Sequence, residues 1–290
     1  MKLTKLFEQG KFVVTSEVAP PKGTDLTEML EDAERLRSRV DAINITDQQS
    51  SVMRLGSLVA SHQLKSRGVE PVFQLTCRDR NRIALQSDLL SAWAAGIENV
   101  LCLTGDHVCL GDSLGAKPVF DLDSVSLLAA ARGLNGGVDM EGNDLAGRTD
   151  FALGAVVTPG ADPVEPQLLK MERKAGAGAA FFQTQAVFDA EAFAQFMERA
   201  RPLGVPVMAG IILLKSAGMA RFMNENIAGV DVPSELIEEM AATAKEDRPA
   251  KSVEIAARVV RAVRDVCQGV HIMPLGWEAH VPAVLDAAGL

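Results

Sequence analysis

Residues 99–112 read NVLCLTGDHVCLGD, an apolar run from Val100 to Leu103 that ends abruptly in Thr104-Gly105-Asp106. A short apolar run bounded by a turn signal predicts a buried β-strand. Glycine at the turn admits backbone angles that other residues avoid and lets a ligand come close to the main chain. Asp106 is then held at the strand's carboxyl end, where open α/β sheets and α/β barrels place their chemistry. A Gly-Asp turn alone is most often only a turn. Its weight depends on how the other strands end.

Outward from this segment, β-rich runs alternate with helical periodicities, the pattern of parallel βαβ units. Strands are predicted at 12–18, 41–46, 71–76, 98–103, 151–157, 179–184, 206–212 and 270–273. Helices are predicted at 26–39, 53–67, 83–95, 123–133, 166–175, 190–200, 217–224, 234–243 and 251–267. Eight strands with interleaved helices in 290 residues predict an α/β fold, a closed (β/α)8 TIM barrel forming one domain over residues 1–290. A doubly wound open sheet would carry a Gly-rich GxGxxG turn after its first strand, and SEVAPPKG at 16–23 is unlike one. The longest irregular stretch, 135–147, reads as a surface excursion and not as a domain boundary.

Composition narrows the function classes. The chain is 48% hydrophobic and 23% charged, as in ordinary globular proteins. A formal net charge of −9 argues against generic binding of nucleic acid or anionic membranes. Cys77, Cys102, Cys109 and Cys267 form no CxxC pair, so a reducing cytoplasm is the expected compartment. No signal-peptide core opens the chain, and no run approaches the ~20 apolar residues of a membrane span.

Every predicted strand turns polar at the same end: Glu17, Thr46-Asp47, Gln74-Leu75-Thr76, Thr104-Gly105-Asp106, Thr158, Gln183-Thr184-Gln185, and a last run into Lys215. A structural barrel needs no such convergence, so an enzyme is expected. Glu17 and Asp106 suggest one acid and one electrostatic partner, with an ion pair between Glu17 and a loop lysine such as Lys22 as the bland alternative. The i, i+2 spacing of Gln183 and Gln185 points both amides to one face, where they can read a heterocycle's edge or simply cap loose backbone groups. His62, His107, His271 and His280 are scattered, and Cys102, His107 and Cys109 straddle a strand and its turn, so no metal site is expected. No GxSxG or P-loop is present, and Lys215 follows a strand where a Schiff-base lysine would lie inside one.

These fragments, in this order and spacing, resemble the methylenetetrahydrofolate reductases, flavin-dependent (β/α)8 barrels of one-carbon metabolism and methionine biosynthesis. The resemblance runs from Ser16-Glu17 and Pro20-Pro21-Lys22 through Gln74-Leu75-Thr76-Cys77 and Leu103-Thr104-Gly105-Asp106. It continues through Arg173-Lys174, Gly178-Ala179 and the run from Phe182 to Asp189. It implies that Glu17 is the general acid that opens the ring of methylenetetrahydrofolate by protonating N10. It also implies that Asp106 stands beside flavin and pterin, with Gln185 hydrogen-bonding the pterin and Gln183 beside it. Thr46, Gln74, Thr104, Gly105 and Asp106 match positions along the flavin ring and ribityl chain. Phe120 falls where the family commonly has a tyrosine near the flavin, and Arg173 and Lys174 match its phosphate-binding pair. The bland alternative for that pair is a solvated helix face, since Lys170 and Glu172 stand beside it.

Several positions depart from the better-known bacterial members. Val18-Ala19 replaces an aromatic pair, Gln74 replaces a histidine, Ala217 stands near a family phenylalanine, and Gln167 and Lys170 replace Asp and Asn. The resemblance implies FAD as the cofactor, and these departures bring in the shorter FMN as alternative. The implied electron donor is NAD(P)H or a partner redox subunit. The run HIMPLGWEAH at 271–280 resembles short forms from anaerobes that work with such a partner, so an oligomer or hetero-complex is expected, without room for a regulatory domain. Two rival readings are a pterin-binding methyltransferase barrel without flavin and a flavin-bearing electron-transfer subunit.

Overall fold

The computed structural model describes residues 1–290. In chain order the elements are α1 (Leu3–Glu8), β1 (Val13–Val18), α2 (Thr27–Leu36), β2 (Ala42–Ile45), α3 (Ser57–Lys65), β3 (Pro71–Thr76) and α4 (Arg82–Ala94). Next come β4 (Asn99–Leu103), α5 (Ser124–Asn135), β5 (Ala152–Val157), α6 (Glu165–Ala177), β6 (Phe181–Ala186) and α7 (Ala190–Ala200). The chain closes with β7 (Val207–Ile212), α8 (Ala217–Asn226), α9 (Ser234–Ala242), α10 (Arg248–Val263), β8 (Gly269–Met273) and α11 (Val281–Ala288). The eight strands pair in sequence order, all parallel, and β8 returns to β1 to close the barrel. No helix is long and apolar enough to cross a membrane.

Period-two alternation sorts the side chains. Outward residues such as Ile43, Phe73, Val100, Phe182 and Val270 pack under the helices, while inward residues stack in layers. The lowest inner layer is apolar: Val13, Ala42, Val72, Leu101, Ala152, Phe181 and Met208, closed from below by Leu3 and Leu6 of α1. Gly154 makes that layer possible, because a β-carbon there would lie 2.3 Å from the Phe181 ring. Above it the interior turns polar. Four of the eight helices that follow strands begin on a capping side chain, Asn81, Asp123, Asp189 or Ser216, which accepts orphan backbone N–H groups of the first turn. Those caps fix the helix starts and thereby the strand-end loops above the site.

Several boundaries differ from the sequence expectation, by up to four residues, as at α3, expected over 53–67 and found at Ser57–Lys65. β6 starts at Phe181 and ends at Ala186, because Gly178 (φ +123) terminates α6 and residues 179–180 bridge to the strand. The long helix α10, expected over 251–267, starts at Arg248, since Pro249 occupies its first turn where a missing N–H costs nothing, and ends at Val263. α1 and α11 escape the periodicity reading because each is only six to eight residues long.

Candidate active site

The polar strand ends enclose a cavity of about 340 Å³ at the carboxyl face, lined by Glu17, Thr46, Gln74, Thr104, Gly105, Asp106, Gln183, Gln185, His271 and Met273 among others. A second cavity of about 560 Å³ lies between the loops after β1, β2 and β8 and shares Glu17, Thr46 and Gln49 with the first. Of the eleven residues expected at the site, eight line the first cavity; Phe120, Arg173 and Lys174 do not.

Glu17 is 7% exposed on the inward face of β1. Its carboxylate lies 3.6 Å from His271 Nε2. Lys22, the alternative partner expected from sequence, instead pairs with Asp112 in the loop after β4. A hydrogen-bonded layer underpins the Glu17–His271 pair. His271 Nδ1 is 2.9 Å from Thr15 Oγ1, which also accepts from Gln183 Nε2 at 3.2 Å. The Gln183 amide and Asn44 exchange two further bonds, at 2.8 and 3.2 Å. Thr15 and Glu17 face the two ring nitrogens of His271, Nδ1 and Nε2 respectively. Gln183 is thus a floor residue whose amide is engaged by the barrel, whereas Gln185 bonds only the adjacent Ala186 N–H and keeps its NH2 group free.

The Thr-Gly-Asp turn is built for close approach. Gly105 has φ +91, and a β-carbon would lie 3.1 Å from Thr76 Cβ and 3.2 Å from Arg78 Cβ. Thr104 Oγ1 accepts from Ser124 N at the start of α5 at 3.1 Å. Asp106 is exposed on the rim, so of the two carboxylates only Glu17 is sequestered. The Asp106 carbonyl is held by Ser51 Oγ and by Arg78. Ser51 Oγ also donates to the carbonyl of His107, and a β-carbon on Gly111 would lie 1.9 Å from the Ser51 carbonyl oxygen. The loops after β2 and β4 therefore interlock. Gln48, Ser50 and Ser51 of the β2 loop all have positive φ, a strained backbone held by these contacts.

Sequence reading missed His271, Asn44, Arg78 and Arg80. Asn44 and His271 were legible in principle, since each falls on the inward parity of its strand with Thr46 and Met273. Asp47 was seen as a strand end but not as an anchor. It accepts from Thr76 N (2.9 Å), Thr76 Oγ1 (2.8 Å) and two nitrogens of Arg80. Burial opposes the Arg80 charge, but Asp47, Asp88 and Asp79 together hold its pKa above the ordinary arginine value.

The pair Arg173 and Lys174 is split by the helix. Arg173 is exposed, while Lys174 is 7% exposed and donates to the Val156 carbonyl. Burial, reinforced by Lys170, pushes the Lys174 pKa down to about 8. An unfolded lysine keeps its proton to about pH 10.4. Between these values the unfolded chain holds a proton that the folded chain has released, so stability at this site rises with pH across that window. Lys174→Met is accordingly expected to raise Tm by roughly 3 °C at pH 7, with the gain shrinking towards pH 10 in calorimetric melts. Phe120, at φ +41, stacks on His107 with ring centroids 6.2 Å apart and lies off the cavity wall.

A flat heterocycle with polar edges suits the first cavity. The Thr46 hydroxyl is buried without a partner, and the Gln74 side chain makes no hydrogen bond within the protein, though Gln74 is only 8% exposed. Together with the glycine turn these groups fit the ring end of a flavin. Arg173 and Lys174 do not reach the cavity to hold a cofactor phosphate.

Residues 2–289 match the family model described as methylenetetrahydrofolate reductase. The 5,10-methylenetetrahydrofolate reductase of Pectobacterium carotovorum subsp. carotovorum is 28% identical over 204 residues, covering 69% of this chain and 62% of that protein. That of Salmonella typhimurium is 26% identical over 235 residues, covering 78% and 72%. Methylenetetrahydrofolate reductase (NADH) 1 of Arabidopsis thaliana is 25% identical over all of this chain but half of its own length. The match thus spans less than two thirds of some curated relatives. Among solved structures, a Clostridium thermocellum protein described as binding two copies of 5-methyl-5,6,7,8-tetrahydrofolic acid superposes with a TM-score of 0.66 at 15% identity, covering 98% of this chain and 97% of that one. A 2,3-dimethylmalate lyase superposes with a TM-score of 0.55 at 12% identity, covering 99% and 87%. At these identities the two structures share the fold.

Proposed function

The chain belongs to the methylenetetrahydrofolate reductase family, and from that premise we propose that it interconverts 5,10-methylene- and 5-methyltetrahydrofolate. The observation that carries this reading is Glu17, buried at the end of β1, backed by His271, and facing a cavity that also presents the free amide of Gln185. The folate bound by the Clostridium thermocellum barrel supports the same substrate class.

In this reading Glu17 in its acid form delivers a proton to N10 of the bound folate as the bond between N10 and the bridging methylene carbon breaks. The ring opens, and an iminium forms at N5. His271 and Thr15 fix the direction of the Glu17 carboxyl from behind, and the apolar floor keeps bulk water from below. Gln185 holds the pterin edge through its NH2 group, and Asp106 faces it from the rim. Thr46, Gln74 and the 104–106 turn would hold the flavin, which when bound supplies the hydride taken up by the methylene carbon. General acid catalysis of this kind contributes roughly 10²–10⁴-fold, and orientation of the two rings contributes further. The reducing equivalents come from NAD(P)H or from a partner redox subunit.

One observation favours a second reading, a pterin-binding methyltransferase barrel without flavin: Arg173 and Lys174 do not face the cavity. A visible spectrum of the purified chain, followed by anaerobic addition of 5-methyltetrahydrofolate, separates the two. A flavin band that bleaches is the expected result. A colourless protein that binds the folate would overturn the reductase reading in favour of the methyltransferase.

A further inference from the structure

We propose that Gln183 and Asn44 are positioning residues for the acid: their paired amides brace the bore of the barrel and, through Thr15 and His271, fix the direction of the Glu17 carboxyl. The proposal rests on the folate reading above, in which Glu17 meets N10. Strands β2 and β6 stand opposite one another in the closed order, so the Asn44 and Gln183 side chains meet across the interior. Asn44 Nδ2 donates to Gln183 Oε1 at 2.8 Å, and Gln183 Nε2 returns a bond to Asn44 Oδ1 at 3.2 Å. The same Nε2 donates to Thr15 Oγ1 at 3.2 Å, which spends both hydrogens of the amide. Thr15 stands in register with His271 of β8, and Glu17 with Asn44 of β2. One continuous path therefore leads from Asn44 through Gln183, Thr15 and His271 to the Glu17 carboxylate, its last step the 3.6 Å approach of His271 Nε2.

The layer is more than filling. The inner layers of such barrels are usually branched apolar side chains, as the lowest layer here largely is. Thr15 and Asn44 are 0% exposed, Gln183 2% and His271 4%, so four polar side chains occupy positions where apolar ones would pack without desolvation cost. Of the four, Gln183 and His271 line the first cavity and Thr15 and Asn44 do not. The spacing of Gln183 and Gln185 suggested that both amides read a heterocycle, but Gln183 has no hydrogen left to donate to one. Its work is inside the barrel. A buried network whose members are mutually partnered is stiff, and Thr15 adds a β-branched side chain with a restricted first torsion. Without that support the Glu17 carboxyl turns freely on its own torsions and spends less time aimed at N10. A misplacement of about 1 Å in such geometry costs on the order of 10²-fold in rate, and a remote brace accounts for part of that.

The test measures rate and affinity separately on the full chain: the folate half-reaction by anaerobic stopped-flow, and 5-methyltetrahydrofolate binding by isothermal titration. Gln183→Met keeps the side chain's length and removes its amide; it should lower the rate about tenfold while the affinity changes by less than about twofold. Thr15→Val, which removes only the hydroxyl, should do the same, and Thr15→Ser should return the rate to within about threefold of the parent. In a Glu17→Gln background Gln183→Met should cost less than about twofold, because the acid it positions is gone. Thermal melts check that each variant is folded, and if Gln183→Met is not, the two Thr15 variants decide the matter. Rates within about twofold of the parent in the folded variants, a loss undiminished in the Glu17→Gln background, or weakened folate binding at an unchanged rate would each overturn the proposal and leave the folate reading standing. A parent chain that neither binds the folate nor reacts with it overturns the folate reading and the proposal together.

Discussion

Glu17→Gln is expected to lower folate turnover by about 10²–10⁴-fold while the protein folds normally and its flavin remains bound and reducible by dithionite. The amide occupies nearly the same volume, so packing around β1 is preserved, and it can face His271 Nε2 with either its carbonyl oxygen or its NH2 group. What it lacks is a transferable proton. The loss should therefore fall on kcat for the folate half-reaction in anaerobic stopped-flow, with little change in flavin absorbance at rest. Unimpaired folate reduction in this variant would refute the assignment of Glu17 as the acid.

Asp47→Ala is expected to be the most destabilising change at the barrel mouth. The Asp47 side chain is fully buried, and its partner Arg80 is 18% exposed. Removing the carboxylate leaves Arg80 with the more exposed Asp88 and Asp79 and strips the buried Thr76 N–H of its acceptor. Breaking a buried ion pair from one side typically costs about 3–5 kcal/mol, which for a chain of this size lowers Tm by roughly 10 °C. The double variant Asp47→Ala/Arg80→Met should recover part of the loss, because no uncompensated guanidinium remains. A drop of less than about 1 kcal/mol in urea melts would show that the Asp47–Arg80 pair contributes little.

The barrel was legible because its signal is local. Runs such as PVFQLT and NVLCL carry β-branched and aliphatic residues at strand length, and capping residues mark the helices between them. The ends of β1 to β4 and of β6 gave the eight expected residues that line the first cavity, Glu17, Thr46, Gln74, the 104–106 turn, Gln183 and Gln185, since any barrel reading would inspect strand ends. The remainder was hidden for a different reason. His271 and Asn44 act through partners more than a hundred residues away, Thr15 and Gln183, and no spacing rule reaches across the barrel. Lys174 shows the limit of adjacency. Two neighbouring cations on a helix differ by about 100° in direction, so Arg173 and Lys174 meet solvent and strand carbonyl respectively.

The interlocked loops after β2 and β4 have a bearing on how such barrels are re-engineered. Gly111 sits against the Ser51 carbonyl, Ser51 donates to the Asp106 and His107 carbonyls, and Arg78 joins the Gln48 and Asp106 carbonyls. Each loop has bonds of its own, such as Arg54 N to Gln48 Oε1 and Leu110 N to the His107 carbonyl, but each is also shaped by the other. A graft that replaces residues 47–56 alone would meet an Asp106 turn cut for a different neighbour, and the reverse graft would strand Ser51 and its strained backbone. The two loops are expected to exchange as one cassette: swapping both should keep the barrel mouth folded where swapping either alone lowers Tm.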